Sequence, residues 1–131
     1  MAAIEALLYS HLSADVALAA LVSNRIYPDR LPQGVTYPAI RYVVIDSPPV
    51  HVKPTMATVR HVRARVQLDV YARTFAAVKD VEAALVTALY AFDRTVNSAI
   101  VETRVADRRN GADGEPAIAS VSIDAAIVYN D

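Results

Sequence analysis

Three histidines, His11, His51 and His61, are the strongest metal-binding side chains in a chain that has no cysteine. They do not form a ligand set. Zinc ligands come in short, repeated spacings. Here one histidine falls in an apolar helical stretch, one in a proline-rich segment and one at the start of an alternating segment. The oxygen donors Asp107, Asn110, Asp113 and Glu115 bunch around Gly111 and Gly114. A calcium loop places its glycine after three alternate oxygen ligands, so this spacing reads as solvated turn residues. Ser10 precedes His11, but successive helical residues point about 100° apart and cannot work as nucleophile and base. Asp80 and Glu82 read as the wet side of a long helix rather than as a general acid and base. Gly34, Gly111 and Gly114 are the only glycines and all sit in turn-like contexts, so no glycine-rich loop cradles a phosphate. Arg60, Arg63, Arg65 and Arg73 could meet phosphates, yet Asp69 shares their face and Tyr71 is the one aromatic there, which reads as a mixed-charge surface. No catalytic, metal or cofactor-binding residue is assigned, and no cofactor is expected.

The elements that would carry such groups centre on residues 60–92. Val62, Ala64, Val66, Leu68, Val70 and Ala72 alternate with Arg63, Arg65, Gln67, Asp69, Tyr71 and Arg73. That period of two predicts a strand over 60–73 with one buried and one wet face. Phe75, Val78, Val81, Leu85, Leu89 and Phe92 then recur every three or four residues. That spacing predicts a helix over 74–92 sharing the strand's core. Val66, Leu68 and Val70 are expected to pack on Val78, Val81, Leu85 and Leu89, with Val121 and Ile123 from the last strand.

Upstream, Ile4, Leu7, Leu8 and Leu12 form a helical stripe, and a second helix is expected over 14–22, capped at Ser13 with Asp15 in its first turn. Pro28, Pro32 and Pro38 then predict an extended connector over 27–38. Residues 39–46 read as a strand. Residues 47–59, with Pro48, Pro49 and Pro54, are longer than a hairpin needs. Strands over 99–108 and 117–129 flank a hairpin loop over 110–115. The order α-α-β-β-α-β-β predicts an α+β fold: a single domain over 1–131 with a four-stranded mixed or antiparallel sheet and helices packed on one face.

The 131 residues, 54% hydrophobic and 21% charged, suit one folded domain with a real core. A net charge of −1 supplies no global attraction to nucleic acid or an anionic membrane. The start of the chain carries Glu5 within its apolar run and lacks a basic leader region, so no signal peptide is expected; no apolar run approaches membrane-spanning length.

The ordered set of short motifs carries more than any one of them. The run Asp15 to Val22 is followed by Arg25-Ile26-Tyr27-Pro28, Leu31-Pro32-Gln33-Gly34, Tyr37-Pro38-Ala39-Ile40, a long strand with Val66-Gln67-Leu68-Asp69-Val70-Tyr71-Ala72, a helix and a final hairpin. This resembles the tail-completion, or tail-terminator, proteins of long-tailed bacteriophages and gene transfer agents, over about residues 4–129. The resemblance implies a non-enzymatic virion protein, assembled in the bacterial cytoplasm as a homohexameric ring at the head-proximal end of the tail tube. It would end tail growth and dock the head. Implied partners are further copies of itself, the tail tube protein and a head-tail connector or neck protein, with non-specific transit of DNA through the ring and no membrane. A connector or neck role is the near alternative, and a small enzyme without a recognisable site a more distant one. On this reading Val50, Val52, Lys53 and Met56 are candidate interface residues on a projecting arm, while Arg63, Arg65, Gln67, Asp69 and Tyr71 form a face toward the lumen or a partner.

Overall fold

The computed structural model describes residues 4–46, 61–92, 100–112 and 118–130. Among them run α1 (Ile4–Ala14), α2 (Val16–Val22), β1 (Ile26–Pro28), β2 (Ala39–Asp46), β3 (His61–Ala72), α3 (Phe75–Ala91), β4 (Ile100–Ala112) and β5 (Ala119–Asn130). The strands form one sheet in the order β1-β2-β3-β5-β4. Only β1 and β2 run parallel; β2 with β3, β3 with β5 and β5 with β4 are antiparallel. The sheet is therefore mixed, one of the two arrangements expected, but it has five strands rather than four: the four expected strands pair antiparallel and β1 alone supplies the parallel pair. The additional strand, β1, overlaps the start of the proline-rich connector. Three residues pair there because Pro28 sits at the strand's end on the sheet's edge, where a missing N–H costs least.

The hydrophobic face of β3 behaves as its alternation requires. Val66, Leu68 and Val70 are fully buried, as are Val78, Val81, Leu85 and Leu89 of α3 and Val121 and Ile123 of β5. Ile40 and Tyr42 extend this core toward β1, and Leu8, Leu12, Leu18 and Val22 cover it from the first two helices. Burial pushes the Tyr42 phenol above its ordinary pKa, with the negative fields of Tyr9, Glu5 and Asp29 adding to it. No single helix among the described residues is long and apolar enough to cross a membrane.

Several local expectations are corrected. The cap of α2 is Asp15, whose carboxylate accepts from the Leu18 N–H at 3.0 Å; Ser13 instead donates to the Ser10 carbonyl within the preceding helix. The chain bends by 83° between α1 and α2, and that break sets Asp15 at the new helix's start. Phe75 is 58% exposed because it opens α3, one turn before Val78 reaches the sheet, and its ring lies under the Lys79 ammonium. Gly111 is not a loop residue but pairs with Ser120. A Cβ on it would meet the Ser120 hydroxyl at 2.7 Å, a contact that rotation of that side chain relieves.

Candidate functional site on the outer face of the sheet

With all three helices on one side, the other side of the sheet carries the residues that alternate away from the core. From β3 these are Arg63, Arg65, Gln67, Asp69 and Tyr71, the predicted lumen or partner face. They are not uniformly wet. Asp69 is only 3% exposed. Cross-strand register explains this, because Arg41 of β2 and Ser122 of β5 stand directly opposite it on either side. Arg41 donates to the carboxylate through Nε at 3.0 Å and also through Nη2, Ser122 donates at 2.6 Å, and Gln67 donates from the same strand at 3.1 Å. A carboxylate with donors on three sides keeps its charge out of water at tolerable cost.

A second carboxylate, Asp124, lies one step along β5 and is 5% exposed. Its Oδ2 accepts from Arg109 of β4 at 3.0 Å and, more weakly, from Arg65 at 3.5 Å; Oδ1 is buried with no hydrogen-bond partner. Arg109 also reaches Asp107 at 2.7 Å, which holds the Asp107 carboxyl below its ordinary pKa, while Asp124 first and Asp107 second raise that of Arg109.

Farther along the face this network stops. β5 carries only Ala126 and Val128 there, and the flanking strands carry Arg63 opposite Val128 and Arg104 opposite Ala126. Long side chains on both sides of small ones make a trough. One part, of about 310 Å³, is lined by Asp46, Arg63, Arg65, Ala106, Asp124, Ala125 and Ala126. Its continuation runs between Arg63, Glu102 and Arg104 over Ala126 and Val128. Arg104 pairs with exposed Glu102 at 3.0 Å.

Other expected site residues fall elsewhere. Glu82 is not on the wet side of its helix: it is 7% exposed, under the overhang of the edge strand, where Lys79 meets it at 3.1 Å and Arg108 at 3.7 Å. Asp80 is exposed, so the two carboxylates do not form a pair. His11 is packed rather than superficial, with Nε2 2.8 Å from the Ala88 carbonyl and its ring against Phe92. Asn110 is engaged by Lys79 at 2.8 Å and Asp107 by Arg109. No cluster of three or more metal-ligating side chains occurs among the described residues. Val50, Val52, Lys53 and Met56, with His51, Asp113 and Glu115, lie outside the described residues. Sequence reasoning missed Arg41, Arg109 and Asp124 as members of the outer face. The alternation Ser120, Ser122, Asp124 in the last strand was the available signal.

A family model described as "Tail completion protein gp17" matches residues 6–130. A solved chain from a "Virion of native gene transfer agent (GTA) particle" superposes with a TM-score of 0.73 at 20% identity, covering 98% of this chain and 96% of that one. No curated protein sequence matches. The family model spans the helix pair, the whole sheet and α3, and so takes in both the buried core and the polar outer face. The chain belongs to the tail completion protein gp17 family and is thus a structural protein of the phage-tail class.

Proposed function

We propose that this chain closes a homohexameric ring on the head-proximal end of a phage-like tail tube, stops tube growth there and offers the docking surface for a head-tail connector or neck protein. The observation that carries the reading is the family match over nearly the whole chain. In support, the matching solved chain is a component of a gene transfer agent virion. The protein would act in the particle after assembly in the bacterial cytoplasm.

Within this reading, the face with Arg63, Arg65, Gln67, Asp69 and Tyr71 looks toward the lumen or a ring neighbour. Its cations are largely matched within the chain, Arg41 by Asp69, Arg65 and Arg109 by Asp124, and Arg104 by Glu102. Each phosphate that a protein neutralises adds affinity, so such a face lets DNA pass without holding it. Residues 47–59 would reach an adjacent subunit or the tube, with Val50, Val52, Lys53 and Met56 as anchors, because head-to-tail contacts need one patch to reach a different one.

Electron microscopy of particles lacking the protein tests the role. Overlong tails without heads are expected; normal tails beside heads that leak their genome would assign it to the connector instead. Replacing residues 50–58 by a short Gly/Ser turn tests the arm. Thermal stability should stay nearly unchanged while tail capping is lost, and normal capping by the shortened chain would discard the arm.

A further inference from the structure

The sheet has two open edges at the same height. On one side β1 is short: it ends at Pro28, opposite Tyr42, while β2 continues to Asp46. Alternate residues of a strand turn both of their backbone groups to the same side. The Ile40 N–H donates to the Arg25 carbonyl and the Tyr42 carbonyl accepts from the Asp29 N–H, each at 3.0 Å, so the next groups directed to that side are those of Val44. No described strand follows there. A bulge at Ile45 leaves its side chain 46% exposed on the same strand. On the other side β4 ends the sheet, and no described strand pairs its outer edge. Bare edges are templates for a further strand.

Register shows which strand fits. The row of Asp46, Arg65, Ala126 and Arg104 crosses the outer face and ends on a carboxylate at one edge and a guanidinium at the other. The adjacent row of Val44, Val66, Ala125 and Val105 crosses the inner face and ends at both edges on a valine that is only partly buried. β2 and β4 run in opposite directions, so a second copy laid alongside in the same orientation brings its β2 edge antiparallel to β4. At equal height Asp46 then meets Arg104 and Val44 meets Val105. Charge holds that register. The outer-face rows on either side of Arg104 end on Glu102 and Asp107, which repel Asp46 after a slip of two residues, and a slip of one residue exchanges the two faces. Asp46 has no hydrogen-bond or ion-pair partner among the described residues, and Arg104 holds only its exposed pair with Glu102, which exchanges readily.

We infer that the β2 edge at residues 44–46 of one copy pairs antiparallel with the β4 edge at residues 104–105 of the next, so that one sheet continues from subunit to subunit. This rests on the ring reading and names one of its contacts. Joining opposite edges is a head-to-tail contact, the type that closes rings. Within one copy the two edges lie three strand spacings apart, roughly 14 Å, and do not meet.

The absence of cysteine makes a direct test available. Particles carrying Asp46→Cys together with Arg104→Cys are oxidised with copper phenanthroline and run on denaturing gels. A ladder of multimers that collapses on reduction is expected, with neither single variant giving dimers. Dimers from a single variant would mean that like edges pair and would overturn the inference. Absence of a ladder would overturn it too, and rings then visible by microscopy would leave the ring reading standing. A ladder without rings would uphold the edge contact and discard the ring. Charge exchange provides a second measurement. Asp46→Arg should lower the amount of protein retained on purified tails by about tenfold or more, through repulsion from Arg104, and adding Arg104→Asp should restore it. Full retention of the single variant, or failure of the rescue in variants whose thermal melts match the parent, would count against the pairing.

Discussion

The two ends of the outer sheet face are built on the same strand alternation and reach opposite results. Around Asp69, the residues directly opposite are Arg41 and Ser122, and the carboxylate disappears beneath its donors. Around Arg63, the residue opposite is Val128 and the next strand over contributes Glu102, which pairs with Arg104, so among the described residues no side chain bonds the Arg63 guanidinium. On an open sheet face, cross-strand neighbours decide whether a polar side chain becomes structure or surface.

The largest effect comes from the side that both ends share. Leu68→Ala or Leu85→Ala empties a fully buried position and should cost about 2 to 5 kcal/mol in denaturant melts. A loss under about 1 kcal/mol, typical of a surface change, would remove these residues from the core. The contrast between the ends is sharpened by Asp69→Ala against Arg63→Ala. The first strands the donors of Arg41, Gln67 and Ser122 and should cost about 1 to 3 kcal/mol, moderated because Arg41 is partly exposed and can rehydrate. The second should stay within about 0.5 kcal/mol. Equal losses would erase the distinction between a sealed end and an open one.

The smallest effect is a titration. Asp107, at the margin of the sealed end, has its carboxyl held below the ordinary aspartate value by the Arg109 hydrogen bond. A depressed folded pKa contributes stability above the unfolded value, near pH 4, that is lost as pH falls through the folded one. NMR titration should therefore place its midpoint below that of a free aspartate, and Arg109→Gln should move it upward. A midpoint unchanged by that substitution would mean that the pair does not hold in solution.

The sheet and its core were legible because burial on one side imposes a period, and residues 62–72 and 75–92 keep it almost without exception. Phe75 and Glu82 broke the helical reading for a shared reason: periodicity gives direction but not what stands opposite. α3 starts before the sheet begins beneath it, and β4 overhangs its flank. β1 was illegible because three residues are too few to show a period and prolines suppressed the expectation. The candidate site was half visible. Its β3 residues followed from alternation, while Arg41, Arg109 and Asp124 joined them only through pairings across 28, 15 and 59 positions of sequence. Sequence alone determined the long elements, the apolar face of the sheet and the family resemblance, since local pattern and motif order carry these. Tertiary structure alone decided which outward charges are buried, because that depends on strand order and register, and hydrogen bonds between strands distant in sequence set both.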